Sequence, residues 1–597
     1  MTESFKSDFL STSTIKKVMP SCLVYAFVQS MTFMVDTVLA GSFLEPDAVA
    51  AVAVGMPIIG LMISFSAMIM HGGYLMMLHS LGRSDMEGYN RIFSLILFFT
   101  IAVNLVFIGI CFGATNFLAG ISGGAKATEK VFEYGCLYIR TACLMILFFA
   151  IGSFFQLVCA SFGYQTERLI SSVINVVGNI LVSILAINLL SEDYKIAGLG
   201  IGSAFGAFFQ MISAFGFMLY RKVKVKFRFY APDKRNFSIL LECVHIGLPA
   251  SIDGILDSAS GSVVNNVILS SFANGSYVLA LVAMIKTVFT LVRTVGSGIL
   301  YASEALIGIL HGERDNGGIC STFKTSLKLG FLYATVFALI IICFQQPILN
   351  FYELKNVADA KNGLILIALS GLLLILPFMM NSAYESTNHH LFAFLVASIP
   401  DSILYPLFVA AFGRKFGVTA VWISMGFSFV PFIIVYYSIF AIANRRLIVP
   451  LERFLLLEKI ENRETALDVS IPANAVNISF VSEYLQNFFL KNNTPAKLAY
   501  ISALCMEEIA ADYIAHRSNT KKAEKDTYMD IKAFRDEDKI EIILRNYDEP
   551  YDPLIVEDKG AEDNFSKIGI VMTQKIASEI HYSYAYHLNV VTVIIPL

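Results

Sequence analysis

The sequence is short of charge and almost free of tryptophan. Only 15% of its 597 residues are Asp, Glu, Lys or Arg, a single residue is tryptophan, and 56% of the residues are hydrophobic. The mean hydropathy of +0.65 is far above that of soluble globular proteins. These values exclude a wholly soluble chain and predict many membrane-spanning segments.

Several motifs of cofactor chemistry are missing. The nine cysteines are scattered without a CxxC pair, which argues against a disulfide framework or a metal site. Walker A, zinc, iron–sulfur and nucleophilic-triad patterns are absent as well. We therefore expect no required cofactor, no metal site and, without a basic and aromatic surface, no nucleic-acid partner. The N-terminus lacks the short apolar stretch and cleavage site of a removable signal peptide.

Long apolar runs are abundant instead. Twelve are long enough to span a bilayer, near 18–40, 49–77, 92–118, 134–160, 168–190, 196–220, 241–272, 276–302, 324–345, 362–386, 391–413 and 418–443. The loop that starts "RKVKVKFRFYAPDKR" at residue 221 carries seven basic residues and one acidic residue. With twelve spans, this loop and both termini lie on one side, which the positive-inside rule assigns to the cytoplasm. We expect a multi-pass protein of the bacterial inner (plasma) membrane.

Charge is concentrated in the last part of the chain, which predicts a second, soluble domain. The predicted organisation is a cytoplasmic tail (1–17), an N-lobe of six helices (18–220), a basic linker (221–240), a C-lobe of six helices (241–443), a juxtamembrane linker (444–467) and a cytoplasmic domain (468–597). The fold class is an all-α polytopic membrane protein with a C-terminal α+β domain.

The two membrane halves resemble each other. "VDTVLAGSF" (35–43) aligns with "VNNVILSSF" (264–272), and "GRSD" (82–85) aligns with "GERD" (312–315), at nearly the same offset. Because loops match as well as helices, we interpret the halves as a six-helix repeat with a pseudo-two-fold relation. Parallel repeats of this kind are typical of transporters, whose substrate and ion sites lie between the halves near mid-membrane.

Longer motifs in the same order resemble the MATE (multidrug and toxic compound extrusion) transporters. These motifs include "MVDTVLAGSFLEPDAVAAVAVGMPIIGL" (34–61), "NVVGNILVSILAI" (175–187) and "GLPASIDGILDSASGSVVNNVILSSF" (247–272). The resemblance covers about 1–445. It implies a two-lobed antiporter that exports cationic or amphipathic compounds, driven by entry of Na⁺ or H⁺.

An acid inside the first apolar run is the main site candidate of the N-lobe. Burying Asp36 in a bilayer is costly, so it should face the bundle interior and have a function. The resemblance implies that Asp36 is an ion-coupling residue, with Asn175 and Asn179 completing the site. Many prokaryotic members carry Asp four residues after the second Asn, where this chain has Ser183, so the coupling ion stays open.

The C-lobe has more charges within its apolar runs. The ion-coupling or substrate candidates there are Asp253, Asp257, Lys286, Arg293 and Asp401. They fit either a static network of ion pairs or a proton relay. Glu304 ends the eighth run, and Glu385, His389 and His390 end the tenth. Glu304 and the two histidines lie near the predicted cytoplasmic edge, where water can solvate them.

The C-terminal domain has strand and helix patterns typical of an α+β fold with helices covering one face of a sheet. It resembles the GHKL ATP-binding fold of the anti-sigma-factor serine kinase type. The positions that carry the likeness are Glu508, Asp512 and His516 on one helix, Asn546 and Asp548 in "NYDEPYDP", and Gly569 in "SKIGIVM". Asp512, Asn546 and Asp548 depart from the family's Asn, Asp and Gly.

The altered positions disfavour binding of ATP with Mg²⁺, and only Glu508 matches a catalytic residue of that family. We therefore expect a regulatory or partner-docking domain without kinase activity, although enzymatic activity stays open. The favoured function is an efflux antiporter whose partners are membrane lipid, a small-molecule substrate and a cytoplasmic regulatory protein. The alternatives are a membrane sensor that controls a kinase-like or anti-sigma module, and a flippase for lipid-linked precursors.

Overall fold

The computed structural model of the chain describes residues 9–32, 34–122, 128–230, 233–271, 275–351, 358–457, 466–518, 528–536, 538–555 and 567–597. The described chain forms a large helical part and a smaller C-terminal domain with one sheet.

The described residues of the first half of the helical part form eight helices. They are α1 (Phe9–Thr32), α2 (Val35–Phe43), α3 (Pro46–Gly82), α4 (Met86–Gly113), α5 (Thr115–Ile121), α6 (Glu129–Ser161), α7 (Gln165–Leu189) and α8 (Lys195–Tyr220). Helices α1 and α2 together form one apolar segment that is bent by 47°. The predicted run at 18–40 therefore spans a break between two helices.

The second half repeats this pattern of long helices. It consists of α9 (Lys234–Ser271), α10 (Gly275–Gly312), α11 (Asn316–Cys343), α12 (Gln345–Phe351), α13 (Ala358–Ser386), α14 (His390–Ser398), a π-helical turn (Ile399–Leu404), α15 (Tyr405–Phe416), α16 (Val418–Phe427) and α17 (Phe429–Ala443). The short helix α18 (Leu451–Phe454) follows.

Ten segments in the described chain are long and apolar enough to cross a membrane, or eleven when the bent pair α1–α2 counts as one. They do not include α10, which carries Lys286, Arg293 and Glu304. The sequence-based count of twelve spans therefore stays a prediction, whereas a multi-pass helical membrane fold is confirmed.

The two halves touch where α3 meets α9 and α10. A Cβ atom added to Gly82, at the end of α3, would lie 2.0 Å from the Ile309 carbonyl oxygen of α10. A Cβ atom on Gly72 would lie 1.9 Å from the Cys243 carbonyl oxygen of α9. Such backbone-to-backbone approaches require glycine, and they hold the halves together at this end.

The described residues of the C-terminal domain form an antiparallel sheet with three helices. Its strands are β1 (Ala466–Pro472), β2 (Tyr528–Arg535), β3 (Lys539–Tyr547), β4 (Glu579–Ala585) and β5 (Leu588–Pro596), in the order β1-β2-β3-β5-β4. The helices are α19 (Ala475–Lys491), α20 (Ala496–Ser518) and α21 (Ile568–Ile576). Apolar side chains of one sheet face, such as Ile531, Ile542 and Val593, pack with these helices in one core.

The opposite sheet face is also covered, unlike in the sequence-based expectation of helices on one face. Ile543, Leu588 and Val590 belong to the same apolar core as residues of α1, α3 and α10. We call this sheet face the docking face, and the end of the helical part that it contacts the domain-bearing side. Successive strand residues point to opposite faces, so β3 must bury both sets of its side chains.

Candidate functional site

Asp36 lies at the start of α2, directly after the break in the first apolar segment. Its side chain is buried. It accepts hydrogen bonds from the Tyr138 hydroxyl at 2.7 Å, the Ser203 hydroxyl at 2.8 Å and the Asn179 amide nitrogen at 3.2 Å. These donors come from α6, α8 and α7. Since none of the three carries a charge, they solvate the carboxylate without neutralising it.

Helices α7 and α8 approach closely to build the back of this site. A Cβ atom on Gly202 would lie 1.9 Å from the Ser183 hydroxyl, so only glycine allows this packing. The Ser183 hydroxyl donates to the Asn179 side-chain oxygen at 2.9 Å, which turns the Asn179 amide nitrogen towards Asp36. Asn175, one turn earlier, bonds instead to Gln210.

Asp36 and Asn179 are predictable from the sequence, whereas Tyr138 and Ser203 are not. Tyr138 is one of two tyrosines on α6, and nothing in the helix sequence marks its hydroxyl as a partner of Asp36. Ser203 is one of several small residues of α8. Only the packing of α6, α7 and α8 around the bent segment reveals the full set of donors.

The C-lobe candidates are not brought together in one cluster by the described residues. Arg293 of α10 forms an ion pair of 2.6 Å with Asp401 of the π-helical turn. Lys286 has an exposed side chain near Gly261 of α9. The side chains of Asp253 and Asp257 lie outside the described residues.

Glu304 and Glu385 are both buried, so the expected solvation of Glu304 is wrong. Glu304 is 3% exposed and Glu385 is 8% exposed. His71 of α3 lies 3.4 Å from a Glu304 carboxylate oxygen and 3.3 Å from one of Glu385. Both acids therefore approach the first half of the protein through His71.

In the C-terminal domain, the nucleotide-site candidates lie near one another but contact protein groups. Asp512 accepts from the Tyr551 hydroxyl at 2.7 Å and from the Lys567 ammonium group at 3.2 Å. His516 stacks on the Tyr551 ring at 3.6 Å. A ligand would have to displace these contacts.

The remaining candidates are engaged in the same way. Asn546 accepts from the Asn589 amide at 2.9 Å, and Asp548 accepts from the Tyr513 hydroxyl at 2.8 Å. A Cβ atom on Gly569 would lie 1.8 Å from a Glu508 carboxylate oxygen, so Glu508 covers this glycine. The likeness of the domain to the GHKL fold stays a prediction.

A buried charge network joins the docking face to the loop between α10 and α11. Arg545 of β3 contacts Glu313 and bonds to Asp315 at 2.7 Å. Lys532 of β2 bonds to Asp315 at 2.6 Å and to Asp468 at 2.8 Å. Glu313 and Asp315 belong to the "GERD" motif that the repeat analysis singled out.

The network contains more carboxyl groups than cations. Burial raises the pKa of Glu313 to about 7 and the pKa of Asp530, also on the docking face, to about 7. Burial opposes ionisation of Asp315 too, but Lys532 and Arg545 outweigh it and hold the pKa of that carboxyl well below its usual range. Proton uptake by the surplus acids therefore favours the docked arrangement.

The hairpin between β4 and β5 contacts both halves of the helical part. Its two loop residues, Tyr586 and His587, have φ values of 53° and 63°. This left-handed backbone suits a two-residue hairpin but disfavours bulky residues. Their contacts compensate for the strain: Tyr586 donates to the Ala302 carbonyl at 2.6 Å, and a His587 ring nitrogen lies 2.9 Å from the Gly163 carbonyl.

Two repeated halves of long apolar helices, with a carboxylate buried in the first, define a two-lobed multi-pass membrane protein. A family model described as MatE matches residues 20–185 and 249–407, more than half of the chain. The chain belongs to the MatE family, as its motifs predicted.

A curated relative and solved structures agree with this assignment. The probable multidrug resistance protein YoeA of Bacillus subtilis (strain 168) is 26% identical over 343 residues, which cover 54% of this chain and 70% of the relative. A crystal structure of MATE in complex with MaD3S has a TM-score of 0.65 at 16% identity and covers 71% of this chain and 94% of its own.

A MOP superfamily transporter from Pyrococcus furiosus has a TM-score of 0.63 at 16% identity, and the match covers 71% of this chain and 94% of that transporter. Its description states that a reversed polarity of its binding pocket suggests a different function. At such low identity these structural likenesses establish the fold of the helical part alone.

Proposed function

We propose that the chain is a secondary-active exporter of small cationic or amphipathic compounds, coupled to entry of Na⁺ or H⁺. The observation that carries this proposal is the buried Asp36 carboxylate with three neutral hydrogen-bond donors. A carboxylate in a bilayer is expensive unless a cation or a proton neutralises it. Carboxylate and hydroxyl oxygens also suit a hard cation such as Na⁺.

The position of Asp36 supports a role in coupling. It lies at the break between α1 and α2, and α1 also packs against α10 of the other half. Neutralising Asp36 weakens its attraction to the donors on α6, α7 and α8. The bent segment can then change its angle, which links ion binding to the arrangement of the two halves.

We further propose that the C-terminal domain is regulatory and acts by docking. It contacts the first half at Ser84 and Gly163 and the second half at Ala302, Glu313 and Asp315. Because the sheet binds both halves, its position is linked to their separation on the domain-bearing side. The surplus of Lys and Arg in the loops of this side supports a cytoplasmic location.

The test of the transport proposal is efflux from proteoliposomes that contain the purified full-length protein. A Na⁺ gradient and a pH gradient are imposed separately, and the movement of a fluorescent organic cation is recorded. Gradient-dependent transport above that of protein-free vesicles is expected for one of the two ions. No transport with either ion, for a panel of cationic and amphipathic compounds, would reject the proposal.

A further inference from the structure

Four charged or titratable side chains meet at the boundary between the halves, near the domain-bearing side. His71 of α3 and Arg168 of α7 come from the first half, and Glu304 of α10 and Glu385 of α13 come from the second. His71 is in contact with both glutamates, and Arg168 and Glu304 are almost fully buried. We call these four residues the boundary cluster.

Arg168 is held in the boundary by aromatic rings of both halves. Its guanidinium lies 3.9 Å from the centre of the Tyr25 ring on α1 and 5.0 Å from that of Tyr301 on α10. It is close enough to interact electrostatically with Glu304. Such stacking orients a guanidinium but does not neutralise its positive charge, which still requires an anion nearby.

The positive and negative charges of the cluster belong to different halves of the protein. With His71 protonated and both glutamates ionised, the four formal charges add up to zero, with both positive charges in the first half and both negative charges in the second. Separation of the halves on this side takes the anions away from their cations. In a medium of low dielectric constant, this loss of attraction is large unless the glutamates lose their charge.

Two polar atoms of the cluster are left without a hydrogen bond. Among the described residues, the Arg168 Nε atom and the Glu304 Oε1 atom are both buried and lack a hydrogen-bond partner. Glu304 Oε1 is oriented towards His71, at 3.4 Å. Unsatisfied buried polar atoms are costly, so the cluster is not optimised as a permanent ion-pair network.

We propose that the boundary cluster is a second proton-binding site, separate from Asp36, whose occupancy decides whether the halves part on the domain-bearing side. Ionised Glu304 and Glu385 hold the halves closed through His71 and Arg168. When each carboxylate takes up one proton from water on that side, the attraction is lost and the halves separate. This inference deepens the proposed function and depends on it, because it concerns the opening step of the same transporter.

Further titratable groups surround the cluster. Those on neighbouring elements are Cys22 and Tyr25 on α1, Tyr74 on α3, Tyr301 on α10, His245 on α9, His389 between α13 and α14, His390 on α14, and Tyr586 of the hairpin. The substitutions below are therefore confined to the two glutamates, whose change of charge the inference requires.

The experiment measures the distance between the halves as a function of pH. Spin labels are attached at Lys222→Cys in the first half and Arg446→Cys in the second, two exposed positions on the domain-bearing side. Cys343 is replaced by serine because it is exposed, whereas the other eight cysteines are buried. Distances are recorded by electron–electron double resonance on the full-length protein in lipid nanodiscs with EDTA.

We expect the population with a long distance to at least double between pH 8 and pH 5.5 in the parent protein. In Glu304→Gln/Glu385→Gln it should be high at both pH values, because glutamine has the shape of a protonated glutamate and cannot ionise. Each single variant should show part of this effect, which keeps the inference testable if the double variant does not fold. The control Glu242→Gln, at an exposed position of α9, should behave like the parent.

An unchanged pH response in both single variants or in the double variant would overturn the inference. If the pH response is lost in Asp36→Asn but kept in the glutamate variants, Asp36 is the group that titrates. That result would overturn the inference and leave the proposed function intact. A parent response that occurs only without EDTA would assign the cluster to a metal ion and also overturn it.

Discussion

Tyr586, in the loop of the last hairpin, donates a hydrogen bond of 2.6 Å to the carbonyl of Ala302, which lies 284 residues earlier in α10. The C-terminal domain is therefore not tethered loosely to the helical part. Its hairpin reaches the same helix that carries Glu304, and its charged strands bind the loop that follows this helix. The state of the domain and the state of the transporter halves are physically linked.

Asp36→Asn should abolish gradient-coupled efflux, reducing it at least about tenfold. Asparagine keeps the shape of the side chain but cannot exchange a proton and binds a cation weakly. Efflux from proteoliposomes measures the effect. Asp47→Asn changes a more exposed acid at the second residue of α3 and should transport normally. Normal coupled efflux by Asp36→Asn would contradict the coupling role.

Ser84→Cys/Ser583→Cys should form a disulfide that fixes the domain in its docked position. The two hydroxyl oxygens are 3.2 Å apart, one in the first half and one on β4, so the replacing sulfur atoms can meet after a small adjustment. Oxidation should reduce efflux several-fold, and a reducing agent should restore it. The two single cysteine variants serve as controls, and full efflux by the cross-linked protein would argue against regulation by docking.

Arg545→Met should release the domain from the helical part. Removing one member of a buried ion pair costs about 3–5 kcal/mol, because its partners stay buried without compensation. The readout is the alkylation rate of Val590→Cys on the docking face, which should rise by about 100-fold or more since 1.4 kcal/mol corresponds to a factor of ten. Lys575→Met on the exposed face of α21 should leave the rate unchanged.

Docking should weaken as the pH rises from about 4 to about 7. Free Glu and Asp have pKa values of about 4.3 and 3.9, whereas burial raises the pKa of Glu313 to about 7 and that of Asp530 to about 7. Both groups bind protons more tightly in the docked state than in the free state. Their contribution to the stability of docking is therefore complete below the pKa of the free state, and it is lost as the pH rises through the pKa of the docked state.

Docking lowers the pKa of Asp315, so this residue stabilises docking when it is ionised. That stabilisation is lost only when the pH falls below the pKa of free Asp, outside the range from about pH 4 to about pH 7. Spin labels at Lys222→Cys and Lys575→Cys would report the docked fraction in the parent protein. Glu313→Gln should reduce the pH dependence of the docked fraction, since glutamine does not titrate. A docked fraction that rises between pH 4 and pH 7 would contradict this sign.

The full-length protein should show no saturable binding of Mg-ATP in calorimetry up to millimolar concentrations. The Asp512 carboxylate is already bonded to Tyr551 and Lys567, and the His516 ring is stacked on Tyr551. Tyr551→Ala removes both the hydroxyl and the ring and serves to test whether the site is merely covered. Micromolar affinity of the parent protein would overturn the prediction of a non-binding domain.

The membrane class, the family and the order of the elements followed from the sequence. Apolar runs of bilayer length are a local property, and "ALDVSIP" (466–472) coincides with β1 because strand patterns are also local. The helix expected at 478–491 begins earlier, at Ala475, because the Asn474 side chain accepts a hydrogen bond from the Asn477 amide and caps it there.

Only the tertiary structure decided the partners of the charged residues. Asp36 was visible as a charge in an apolar run, but Tyr138 and Ser203 are separated from it by more than a hundred residues. Glu304 was placed near water because its distance to the helix end is all that a sequence records. Its burial depends on contact with the other half, and the burial of Arg545 depends on docking. Pairwise contacts between distant segments determine the environment of a charge, and local sequence patterns do not contain them.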